Sequence, residues 1–240
     1  MKLLASDLIK YRRTWVLPLT FLGPFGLVLM GIIYFAMSAD WFGKEVAKRG
    51  PWLAVMNNMG MLEVAAIALG VALLTSMVFD ADHRSSAWKQ LFALPVSRSG
   101  VYLTKLVVVV GLILVASVFA AAGTAGIWLW LDLGALPWGK LGLLALLPWV
   151  AAFPLIAWQG LLSAHIRNQA VALTAGVAGT VMAMAGASLP NWLPWAFPSL
   201  AMEWVITGDG DAWRVLGIAC AAGVVLAVAG ALSFARRDVV

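Results

Sequence analysis

The chain has 240 residues, of which 63% are hydrophobic and 11% charged, with a mean hydropathy of +0.95. Soluble domains carry about 25% charged residues, so this composition excludes a soluble enzyme, a disordered chain and a disulfide scaffold, and makes lipid the solvent. The net charge of +5 invites a nucleic-acid reading, but the basic residues fall between apolar runs rather than along one stripe, as in a membrane protein.

Before the first apolar run, Leu4, Leu8, Tyr11 and Trp15 recur at helical spacing, with Lys10 and Arg13 elsewhere around the turn. This predicts a basic amphipathic helix lying in the interface plane. A crossing helix needs roughly 20 apolar residues. Six stretches meet that length, at about 16–37, 60–79, 106–131, 141–164, 170–188 and 215–235. Arg12-Arg13-Thr14-Trp15 faintly resembles a cleavable leader, with Ala36-Met37-Ser38 as a cleavage site. The run between them is longer than the ~7–15 residues of a signal core, so the first span is expected to stay. The expected fold is all-α, a polytopic membrane protein forming one domain over 1–240.

Six crossings put both termini on one side. With the N-terminus inside, Lys2, Lys10, Arg12, Arg13, Arg84, Lys89, Arg98, Lys105, Arg167, Arg236 and Arg237 are cytoplasmic, eleven against five outside. The positive-inside rule therefore predicts cytoplasmic termini. A bacterial cytoplasmic membrane is the expected location.

Between the first two spans, Met56, Met59 and Met61 form a soft-sulfur cluster beside Asn57 and Asn58. Such sulfurs suit monovalent copper, and equally fill a loop that enters lipid. Glu63 is the one charge inside a predicted span, about a turn from its outer end. It reads either as a contact for a cationic substrate or as a carboxylate reaching the headgroups.

The loop 80–105 follows. Trp88, Leu91 and Phe92 share one helix face, and Pro95 ends that helix at Leu94. A short cytoplasmic helix with so apolar a face needs a covering surface, in its own bundle or on a partner protein. Catalytic signatures are absent: no phosphate-cradling G-x-x-x-x-G-K-[ST], no H-E-x-x-H and no G-x-S-x-G. His83 and His165 both fall in predicted loops and read as solvated. No catalytic residue, metal or cofactor is expected in this chain, and no nucleic-acid partner.

Nine of the thirteen tryptophans lie at or beyond the outer boundary, and Pro190, Pro194 and Pro198 break 189–214 into pieces that read as interfacial or re-entrant. Glu63, Trp192, Trp195 and Trp204 form a candidate rim for an amphipathic peptide or lipid, with a plain lipid anchor as the other reading. Spans five and six carry small residues every fourth position: Ala175, Gly179, Ala183 and Ala187, then Ala219, Gly223, Ala227 and Ala231. Such stripes permit close helix approach, within a chain or across a dimer.

An acidic residue leaving the second span, a short helix, Leu-Pro-Val-Ser-Arg and a lysine entering the third span together resemble the permease subunit of type-2 ABC exporters. Asp82, Trp88, Pro95, Arg98 and Lys105 match those positions, and Leu91 and Phe92 lie on the same short helix. The resemblance implies six spans, an N-terminal interfacial helix and a coupling helix that docks on a separate ABC ATPase, which holds ATP and Mg. It also implies a second permease copy or a related permease. Residues 158–170, Trp158-Gln159-Gly160 through Ala170, with Pro194-Trp195-Ala196-Phe197-Pro198, are similar to lantibiotic-immunity permeases. Those expel amphipathic antimicrobial peptides. Other cargo (drug, lipid, haem or a copper-related species) and a non-transporting signalling or structural role stay open.

Overall fold

Lipid offers no water to backbone N–H and C=O groups, so the apolar runs must close their own hydrogen bonds as helices. The computed structural model describes residues 11, 14–84, 97–166 and 168–236, with the side chains of 82–84 and 187 outside that set. Among the described residues there is helix and no strand: α1 Val16–Met37, α2 Ala39–Arg49, α3 Pro51–Arg84, α4 Arg98–Trp130, α5 Trp138–Ala151, α6 Phe153–His165, α7 Gln169–Met184, α8 Ala196–Thr207 and α9 Ala212–Ala235. Five segments are long and apolar enough to cross a bilayer: α1, α3, α4, α5 with α6, and α9. The polytopic all-α expectation holds. The central helix is α3, which packs against α1, α2, α4, α6, α7 and α8.

The second span begins at Pro51, nine residues earlier than the sequence suggested. Gly50, at φ 81°, makes the turn that a side chain resists, and Pro51 starts the helix where its missing N–H costs nothing. Asn57 and Asn58 look like loop residues. Yet the Asn58 amide donates to the Ala54 carbonyl at 2.8 Å, so it is satisfied within the helix. The methionine cluster is thereby pulled apart. Met56 and Met59 are buried, whereas Met61 is 56% exposed on another face, so the three sulfurs do not converge on one ion.

Two of the expected crossings are broken. The fourth turns at Ala152 between α5 and α6, where Pro154 has no N–H for the Val150 carbonyl four residues earlier, and Trp149 Nε1 donates across to the Val110 carbonyl of α4 at 3.0 Å. The fifth expected span is too short to cross alone. The 16 residues of α7 reach about 24 Å, short of the ~30 Å hydrocarbon core. Helix α8 packs over its end: the Ser199 hydroxyl donates to the Ala183 carbonyl at the top of α7, and Met202 and Ile206 lie on Gly60 of α3. Further out, Trp52 Nε1 donates to the Val205 carbonyl at 3.0 Å. Of the 189–214 stretch, expected as interfacial or re-entrant pieces, residues Ala196–Thr207 form one helix packed into the protein, with Ala196, Phe197, Ala201 and Met202 buried.

Gly179 and Ala183 of one small-residue stripe and Ala219, Gly223 and Ala231 of the other pack inside the chain, whereas Ala175 is exposed. Gly179 faces the Trp195 ring, and Gly176 faces Ala72 and Gln159. On α9, Ala219, Gly223 and Ala231 are buried, and a β-carbon at Gly223 would meet Phe153 Cβ at 3.0 Å and its backbone at 3.2 Å. That neighbour is backbone and cannot swing aside. Gly223→Ala should cost about 1–3 kcal/mol through overpacking and lower the apparent Tm in detergent. Gly217→Ala, on the same helix with open space around it, should not. Equal melting of both variants would mean α6 and α9 are not held this closely.

Candidate functional site

One end of the bundle gathers Tyr11, both flanks of residues 85–96 and the end of α9. Tyr11 is buried there, its hydroxyl 3.5 Å from the Val78 carbonyl. A turn at Thr14 stops that face, leaving Trp15 67% exposed rather than beside Tyr11 as the spacing suggested. Lys105 is fully buried. Its Nζ donates to the Val78 carbonyl at 3.1 Å and to the Tyr11 hydroxyl at 3.5 Å, and lies 5.7 Å from the Phe79 ring centre. Phe79, Tyr102 and Phe234 stack in a row, and the Ser99 hydroxyl donates to the Ala231 carbonyl at 3.3 Å. These contacts tie α3, α4 and α9 beneath the loop.

Of the loop residues singled out in the sequence, Trp88, Leu91, Phe92, Pro95 and the Asp82 side chain lie outside the described residues. Arg98 is half-buried as the first residue of α4, which Ser97 caps by accepting from the Gly100 N–H at 3.2 Å. Lys105 sits two turns inside α4, because that helix begins at Arg98 and not at 106. It points into the bundle, so any effect on the loop passes through the helices it joins. His165 is no solvated loop residue either. In the neutral ring, Nδ1 donates to the Leu161 carbonyl at 2.8 Å and Nε2 accepts from the Ser233 hydroxyl at 2.8 Å, pinning α6 to α9.

Glu63 lies deeper than the sequence implied. With α3 starting at Pro51, it is about 18 Å along the helix and only 3% exposed. Thr124 Oγ1 is 3.1 Å from the Glu63 carboxylate, to which it can donate, and 3.1 Å from the Ala120 carbonyl. The carboxyl lines a cavity of about 40 Å³ together with Thr20 and Ser117. The Ser117 hydroxyl is buried there without a hydrogen-bond partner. Beside it runs a larger apolar groove of about 390 Å³ that shares Leu19, Gly23, Leu27 and Ala66 with the cavity and reaches Thr180 of α7. Ser117 and Thr124 are seven residues apart, two turns on one face, a signal the sequence contained but which was hidden among alanines.

The outer tryptophans do not form one rim with Glu63. Trp192 is 72% exposed, Trp204 half-buried, and Trp195 turns inward to stack edge-on against Trp158 at 5.9 Å. Trp52 and Trp128 are internal pegs rather than a lipid belt, with Trp128 Nε1 donating to the Gly134 carbonyl at 3.2 Å. Among the described residues, no group of three His, Cys, Asp or Glu side chains is placed to hold a metal.

The sequence profile of the family described as ABC-2 family transporter protein matches residues 3–184, which include residues 85–96, Glu63 and Lys105. A comparison with curated proteins found no match. ABC-2 permeases are the membrane component of ABC transporters and work with ABC ATPase subunits. With helices that cross the bilayer several times and a profile match over three quarters of its length, this chain belongs to the ABC-2 transporter family.

Proposed function

We propose that the chain is the permease of an exporter that expels amphipathic antimicrobial peptides from the membrane, driven by a separate ATPase docked on residues 85–96. The observation that carries the cargo class is the apolar groove between α1, α3 and α7. Its volume of about 390 Å³ and its lining, apolar except for Thr180, suit a segment entering sideways from the bilayer. The two stretches that resemble lantibiotic-immunity permeases also pack against each other, through Trp158 and Trp195, outside that groove. The loop end faces the cytoplasm on this reading. With buried Lys105 left out, the basic count is still ten against five. The working unit is a dimer, with itself or a related permease.

Coupling runs through Trp88 and Phe92. Aromatic interface anchors cost about 2 kcal/mol or more when truncated, roughly thirtyfold in affinity. Trp88→Ala with Phe92→Ala should therefore loosen the ATPase and remove protection of cells against a lantibiotic, at unchanged membrane abundance. Wild-type protection and ATPase co-purification in the double variant would reject the coupling role. No protection by the unmutated pair against any such peptide would reject the cargo.

A further inference from the structure

The polar cavity and the apolar groove are two parts of one space, and their chemistry differs in a way that describes a ligand. Glu63 is buried in the middle of α3, its carboxylate served by Thr124 alone among the described residues, with no lysine or arginine in ion-pair distance. A carboxylate taken out of water without a counter-charge is strongly disfavoured. The remaining polar groups around it are acceptors or adaptable hydroxyls. The Ser117 hydroxyl is buried, lines the same cavity and has no partner. A carboxylate and an unpartnered hydroxyl lining one cavity suit the N–H donors of an ammonium group.

We propose that Glu63 binds one primary ammonium group of the cargo in the cavity that Ser117 also lines, while the apolar segment carrying that group lies in the groove between α1, α3 and α7. The cargo is on this account a cationic amphiphile, recognised at membrane depth one positive charge at a time. This rests on the transporter reading above and narrows its substrate class. The groove volume of about 390 Å³ holds a side chain or a single alkyl chain and not a whole peptide. The site therefore reads a lysine-bearing apolar segment, and its entrance is lateral.

The test uses the permease with its ATPase in nanodiscs of zwitterionic lipid, with labelled dodecylammonium and dodecanol as probes. The unmutated complex should bind the ammonium at least tenfold more tightly than the alcohol. Glu63→Gln, which keeps an acceptor for Thr124, should abolish that preference and leave dodecanol binding unchanged. If that variant does not accumulate, Glu63→Asp takes its place, and withdrawing the carboxylate by one methylene should weaken ammonium binding alone. Equal binding of the two probes by the unmutated complex overturns the proposal, as does an undiminished preference in either variant. Displacement of the ammonium by sodium at 0.1 M, on the order of physiological ionic strength, would also overturn it, because the site would then take an inorganic cation. Lantibiotic protection is scored separately. Ammonium binding through Glu63 without protection would reject the peptide exporter and leave this site standing.

Discussion

Replacing Lys105 with methionine is expected to uncouple ATP hydrolysis from transport by at least tenfold, while the chain still inserts and still holds its ATPase. Lys105 spans from α4 to the Val78 carbonyl on α3 and to Tyr11, so it fixes the two helices that flank residues 85–96 as one body. A hydrogen bond from a charged donor contributes about 1.5–3 kcal/mol. Methionine retains much of the volume and the contact with Phe79 but cannot bridge the helices. Alanine removes the packing as well and should add about 2–5 kcal/mol of destabilisation. The two variants therefore separate tether from filler. Transported cargo per ATP, measured beside the apparent Tm, decides it: full transport by Lys105→Met would reduce Lys105 to a space-filling role.

Trp195→Ala should destabilise the protein by about 2–3 kcal/mol, the larger part of it at the junction of α7 and α8. The ring stacks on Trp158 at 5.9 Å and closes over Gly179, so its loss leaves a void where α7 meets α8. In lipid the penalty is lost packing rather than lost water exclusion, since the bilayer is as apolar as the ring. Trp192, three residues away and 72% exposed, should change the Tm little when made alanine, within about 0.5 kcal/mol. Thermal unfolding of both variants in one detergent distinguishes an internal peg from a cargo rim. Similar melting of the two would restore the rim reading of Trp195.

The helical class was legible because lipid leaves the backbone few choices, whereas five segments rather than the expected six are long and apolar enough to cross. Boundaries were less so, for reasons visible at particular residues. Asn58 looked like a loop residue, but its amide finds Ala54 one turn back, and the second span gained a whole outer segment. That shift moved Glu63 from the headgroup zone to the interior and scattered the methionines. The break between α7 and α8 was flagged by Pro190, Pro194 and Pro198, yet prolines alone do not tell an interfacial helix from an embedded one. Its depth is fixed by contacts distant in sequence, such as Trp52 with Val205. The same holds for Lys105 and His165. Their positions looked like loop ends, and their partners came from α3 for Lys105, which is buried, and from α6 itself and α9 for His165, which is half-buried.

The central claim is that this chain forms the path and the coupling element while another chain burns the ATP. The most direct measurement reconstitutes the purified permease and its partner ATPase, separately and together, in liposomes bearing a fluorescent lantibiotic in the bilayer. ATP hydrolysis and loss of peptide from the membrane are followed in the same sample. The permease alone should neither bind nor hydrolyse ATP, having no phosphate-cradling loop in its sequence. The ATPase alone should move no peptide, and the pair should clear it only when ATP is present. Hydrolysis by the permease alone, or ATP turnover by the pair with the peptide left in the membrane, would contradict the account.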